Sequence, residues 1–122
     1  MSVRARVMIV DDEVHHLELM AALFRGSAIE AEAFSSGEAA LAAVQSGRQY
    51  HLVLADVVMP GMTGLELAKS IHASNPEIPV VLVTGHDSAI RAAEEGGRLA
   101  LVKPYTPQMV NAVLTEHLGF GI

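Results

Sequence analysis

The sequence predicts a doubly wound α/β sandwich built on five parallel strands, and two observations carry that expectation. Short runs rich in Val, Ile and Leu recur along the chain without polar alternation, the mark of strands buried on both faces. Between them lie segments with helical periodicity. Regular alternation of strand and helix implies a parallel sheet covered on both sides, with right-handed crossovers. The chain has 122 residues, 51% of them hydrophobic and 18% charged, which is one domain's length and enough to bury a core unaided.

The first strand is expected at Val7–Val10. Leu17, Met20, Ala21 and Phe24 then share one face of a helix over Glu13–Arg25, with Asp12 placed to cap it and Gly26 to stop it. Ile29–Phe34 reads as an edge strand, because Glu30 and Glu32 alternate with apolar neighbours. Ser35 and Glu38 form an S-x-x-E box that opens a second, Ala-rich helix ending near Gly47. Leu52–Ala55 is a central strand, and Gly64, Leu67, Ala68 and Ile71 stripe a third helix that stops before Asn75-Pro76. Val80–Val83 follows as a strand, then a fourth helix capped by Asp87 and ended by Gly96-Gly97. Leu99–Val102 is the last strand. Thr106, with Pro107 at the first helical position, opens a fifth helix whose Val110, Val113 and Leu114 share a face.

Composition narrows the function. The absence of cysteine removes disulfides, thiolate nucleophiles and cysteine-held metals, and fits a reducing cytosol. Arg4 and Arg6 ahead of an apolar run superficially suggest a signal peptide, but the run ends at once in Asp11-Asp12-Glu13. No stretch reaches transmembrane length, so no membrane association is expected and the location is expected to be cytoplasmic. A formal charge of −6 argues against direct nucleic-acid binding, which needs a basic face.

Ligands in open α/β sheets bind outside the carboxyl ends of the strands. There the sequence places Asp11 and Asp12, Asp56, Thr84 and Lys103, from four strand ends. Taken singly, each has an ordinary structural explanation such as a helix cap or a loop residue. Together they do not: carboxylates about 5 Å apart repel by roughly 3 kcal/mol per pair at an effective dielectric of 20, so the cluster calls for a cation. An all-oxygen set suits Mg²⁺ or Mn²⁺ rather than zinc. A divalent ion beside a carboxylate, a hydroxyl and an ammonium makes a phosphoryl-transfer site with Asp56 as nucleophile.

At these residues the chain resembles the receiver domains of two-component response regulators. The matching segments are Val10-Asp11-Asp12-Glu13, Asp56-Val57-Val58-Met59-Pro60-Gly61-Met62-Thr63-Gly64, Val83-Thr84-Gly85 and Lys103-Pro104-Tyr105. The resemblance implies one receiver domain over residues 1–122, its core about 5–118, with the CheY-like and flavodoxin-like strand order 2-1-3-4-5. It implies phosphorylation at Asp56 by a sensor histidine kinase or a histidine phosphotransfer protein, in service of a downstream partner it does not name. By the same likeness Asp12, Asp56 and the main-chain carbonyl of Val58 hold the ion, and Asp11 does so through water. Thr84 is the switch hydroxyl and Lys103 pairs with the phosphoryl group, while Gly85 meets a need for a small residue and Lys103–Pro104 is cis. One position departs: the aromatic switch residue of the family, three places before the lysine, is Ala100 here. The segments around Thr84 and Lys103 look most like receivers attached to hybrid sensor kinases.

The remaining polar residues read as ordinary. His15 and His16 are expected on the solvated surface of the first helix, and His51, His72 and His117 at surface or helix-end positions. His86 stands apart, since it and Val58 occupy positions that modulate dephosphorylation in the family. Glu94-Glu95 is a solvated face, and Met59 and Met62 are packing residues. Three rival readings stand beside this one. A degenerate receiver that binds partners without phosphorylation is opposed by the intact acidic, hydroxyl and lysine set, though Ala100 leaves it room. An aspartate-nucleophile phosphohydrolase of the dehalogenase type lacks its second acid at Val58. A flavin carrier lacks a phosphate loop after the first strand.

Overall fold

The structure, a computed structural model, describes residues 3–85, 87, 90–91 and 100–122. The short apolar runs and the alternating edge segment become β1 (Ala5–Val10), β2 (Ile29–Phe34), β3 (Leu52–Asp56), β4 (Val80–Thr84) and β5 (Ala100–Val102). They form one parallel sheet in the order β2-β1-β3-β4-β5. Every residue of β3 and β4 is buried, as expected of unalternating central strands, while β2 lies at an edge and is mostly half-buried.

Successive strand side chains point to opposite faces, and each face buries its own core. Met8, Val10, Val53, Ala55 and Leu82 meet Ala40 and Val44 of α2 (Gly37–Gln45) and Leu67, Ala68 and Ile71 of α3 (Gly64–Ser74). Val7, Ile9, Leu52, Leu54, Val81 and Val83 meet Leu17 and Met20 of α1 (Val14–Ala22), and Val110 and Leu114 of the C-terminal helix (Pro107–Leu118). Truncating a fully buried side chain such as Ile71 to Ala is expected to cost about 2–5 kcal/mol.

Local chemistry starts the helices. Thr106 caps the C-terminal helix by accepting the Met109 N–H at 3.1 Å, with Pro107 behind it. Ser36, not Ser35, caps α2, accepting the Ala39 N–H at 3.1 Å; the expected Ser35–Glu38 box is therefore one residue out of register. A reciprocal box does form at α3, where Thr63 Oγ1 accepts from Glu66 N and Glu66 Oε1 accepts from Thr63 N.

The first helix is shorter than expected. It ends at Ala22, and the chain tightens into i to i+3 turns through Leu23, Phe24 and Arg25 before Gly26 at φ 75°. Phe24 nevertheless stays in the core. Asp12 does not cap this helix: Glu13 occupies the cap position without a side-chain hydrogen bond, and Asp12 is exposed. Asp87 is itself helical rather than the residue before a helix. His86, Glu94-Glu95, Leu99 and the expected helix end at Gly96-Gly97 lie outside the described residues. The same holds for the side chain of Ala100.

Candidate functional site

Parallel strands put their carboxyl ends on one edge, and the registers align those ends. Val10 pairs with Ala55, Asp56 with Val83, and Thr84 with Val102. Asp11, Asp56, Thr84 and Lys103 thus leave the sheet side by side. Asp11 and Asp56 are each 8% exposed and Thr84 1%, so three polar side chains sit buried where the strands end.

Each is held by its own loop. Asp56 Oδ1 accepts the Val58 N–H at 3.1 Å, and Asp56 Oδ2 accepts from Lys103 Nζ at 2.8 Å. Asp11 Oδ1 accepts the Glu13 N–H at 2.9 Å, and its Oδ2 lies 3.9 Å from Lys103 Nζ. Lys103 is placed by its main chain, which donates to the Thr84 carbonyl at 2.9 Å, and its bond to Pro104 is cis. A Cβ on Gly85 would meet the Lys103 Cβ at 3.3 Å, so a small residue suits that position. Gly64 is more constrained. Its N–H donates to the Val57 carbonyl, and a Cβ there would fall 2.3 Å from the Asp56 carbonyl oxygen. The start of α3 can approach the end of β3 this closely only at glycine.

Asp11, Asp12 and Asp56 each offer a carboxylate oxygen within 4.8 Å of the others. This matches the separation expected from the sequence, and among the described residues only Lys103 Nζ comes within ion-pair distance of the two buried acids as a permanent cation. Burial pushes the Asp11 carboxyl above the usual range; the Glu13 N–H opposes that, and the charge of Asp56 adds to it. Burial would lower Lys103, but its hydrogen bond to Asp56 and the charges of Asp56 and Asp11 outweigh it, so the ammonium is held more firmly than usual. Asp12, Glu13, Asp56, Val58, Gly85 and Lys103 line a cleft of about 440 Å³ that opens this cluster to solvent. An all-oxygen donor set, an excess of negative charge and an open approach fit a hard divalent cation.

The structure therefore brings together Asp11, Asp12, Asp56, Thr84 and Lys103, with Val58 at the rim. Sequence reading missed one neighbour. His16, expected on a solvated face, turns toward the site, with Nδ1 3.5 Å from Asp11 Oδ2 and 3.1 Å from Glu13 Oε2. The i, i+3 spacing of Glu13 and His16 at the start of a helix was the available signal. His15 is exposed, as expected. His51 accepts the Arg6 N–H on Nδ1 at 2.9 Å and serves the backbone.

A sequence model of the response regulator receiver domain matches residues 7–115. The transcriptional regulatory protein ZraR of Escherichia coli O157:H7 is 36% identical over 116 residues, covering 93% of this chain but only 26% of that protein. The chain thus spans about a quarter of the length of this relative. The two-component response regulator ORR3 of Oryza sativa subsp. indica is 34% identical over 110 residues, covering 86% of this chain and 84% of its own. Among solved structures, the response regulator TrrA of Thermotoga maritima in complex with Mg²⁺-BeF superposes with a TM-score of 0.84 at 26% identity, covering 93% of this chain and 99% of that one.

Proposed function

The chain belongs to the response regulator receiver family, and on that footing we propose that it is a phosphoacceptor switch whose phosphorylated residue is Asp56. One observation carries the choice of residue. Asp56 is a buried carboxylate at the end of a central strand, hydrogen-bonded to an ammonium and flanked by two more acids at the floor of an open cleft.

The donor is a phosphohistidine, on a sensor histidine kinase or a histidine phosphotransfer protein. An Asp56 carboxylate oxygen forms a bond to phosphorus as the bond to the donor's imidazole nitrogen breaks. The electron pair of that bond stays on the donor ring, and an acyl phosphate is left on the domain. Lys103, kept as an ammonium by its neighbours, orients Asp56 beforehand and afterwards faces the phosphoryl oxygens. Thr84, level with it on the next strand end, supplies a hydroxyl to the same group. Asp11, Asp12, Asp56 and the Val58 carbonyl are the groups that would hold Mg²⁺. When bound, such an ion neutralises the acids and the charge of the transferred group. The domain promotes its own phosphorylation and dephosphorylation and acts on no separate substrate. Among the described residues no helix is long and apolar enough to cross a membrane.

The test is incubation with Mg²⁺ and a small phosphodonor, read by intact mass. Wild type should gain one phosphoryl group, and Asp56→Asn should gain none. Full labelling of Asp56→Asn would end the assignment.

A further inference from the structure

We propose that His16 is a positioning residue for Asp11, holding the Oδ2 of that acid toward the three-carboxylate cluster through its own Nδ1–H. The inference rests on the metal-holding role proposed above. Asp11 Oδ1 is already taken by the Glu13 N–H, so the direction of the carboxylate depends on what faces Oδ2. Among the described residues two groups do: Lys103 Nζ at 3.9 Å and His16 Nδ1 at 3.5 Å. Lys103 is committed elsewhere, hydrogen-bonded to Asp56 Oδ2 at 2.8 Å, and Asp56 is the group that changes on phosphorylation. The neighbour left to steady Oδ2 is His16.

The side chain is 38% exposed, but its Nδ1 is turned away from solvent. A solvated imidazole on a helix face turns its polar atoms to water, yet His16 Nδ1 is buried and completes no hydrogen bond, while standing 3.1 Å from Glu13 Oε2 and within reach of Asp11. A buried polar nitrogen left unpaired destabilises the fold. A small rotation of the ring completes a bond to Asp11 and removes that cost. The same ring, carried by α1, borders a cleft of about 380 Å³ whose other lining is Lys103, Pro104 and Tyr105, so it stands on the lysine side of the acid cluster. His16 in this way couples the first helix to the acid cluster without touching the reacting atoms.

The test is a Mg²⁺ titration of the unphosphorylated domain, followed by backbone amide chemical shifts, with melting in EDTA as the folding control. His16→Ala should weaken Mg²⁺ binding roughly tenfold, the lower end for partners that orient metal ligands. His16→Asn, which sets an amide N–H where Nδ1 stands, should restore it. His16→Gln, which sets the N–H where Nε2 stands, should not. Wild-type affinity in His16→Ala, equal weakness in Asn and Ala, or equal rescue by Asn and Gln would each overturn the proposal. Asp12→Ala serves as the separate control. If it binds Mg²⁺ like wild type, the metal site itself is wrong, whereas loss in Asp12→Ala with none in His16→Ala sinks only the role of His16.

Discussion

Two charged clusters flank β1, and they are built on opposite terms. At the start of the strand, Arg6 meets Glu30 and Glu32, which also meet Arg48, and Tyr50 donates to Glu32 Oε1 at 2.7 Å. Two guanidiniums face two carboxylates, so the cluster is formally neutral. Burial alone would raise Glu32, but the Arg48 and Tyr50 hydrogen bonds and the two arginine charges override it and hold the acid below its usual range. Burial and the bond to Glu32 push the Tyr50 phenol up to about 12. Just past the end of the strand, three carboxylates have, among the described residues, one lysine beside them, paired with Asp11 and Asp56. The first cluster is complete as it stands and pins the edge strand. Among the described residues the second is left two positive charges short, which is the deficit that the proposed cation would fill.

The contrast can be tested, beginning where the effect is largest. Mg²⁺ should stabilise the domain by about 2.7 kcal/mol at a hundredfold excess over its dissociation constant. Thermal melting should show the rise abolished in Asp12→Ala and only reduced in Asp11→Ala. An undiminished rise in Asp12→Ala would mean that the acid cluster is not where the metal binds. Glu32→Gln should lower stability by about 1–2 kcal/mol, because its partners lose a charged acceptor. That loss should be the same with and without Mg²⁺, and denaturant melts under both conditions would reveal any coupling between the clusters.

Smaller still, Asp11→Asn should raise the melting temperature in EDTA by a few degrees, corresponding to about 1 kcal/mol. Saturating Mg²⁺ should cancel or reverse the gain. A lower melting temperature in EDTA would show that the apo cluster is not strained by its own charge. The smallest effect is in pH. Glu32 is depressed when folded, so its contribution is present above its unfolded value of 4.5 and is lost as pH falls through the lower folded one. Asp11 is raised when folded, so acidification through its folded value toward 3.8 adds stability. In EDTA the gap between wild type and Glu32→Gln should close only below about pH 4.5. The gap between wild type and Asp11→Asn should instead narrow as the raised Asp11 takes up its proton, and be closed by about pH 3.8.

Much of this was legible along the chain. β2 has the bounds that the alternation of Glu30 and Glu32 implied, and β3 and β4 each extend one residue beyond the apolar run, taking in Asp56 and Thr84. Those extra residues are polar, so hydropathy stops short of them, although backbone pairing continues. The Ser35 cap failed by one position because two adjacent serines offer the same side chain, and backbone geometry at Ser36 settled the choice. Helix 1 ran short because its apolar face continues through Phe24 while the backbone has already tightened into a turn.

Patterning was enough to specify the alternating fold, the parallel sheet and the set of strand-end residues, because burial on two faces and the placement of polar residues are properties of the linear order. Which of those residues meet was decided only in three dimensions. Strand register levelled Asp11 with Asp56, the glycine at position 64 let α3 close on the Asp56 carbonyl, and Lys103 was drawn to Asp56 rather than to Asp11. The turn of His16 toward the acids belongs to the same class. A helical position near the rim is compatible with solvent or with the site, and the packing of α1 against the sheet selects between them.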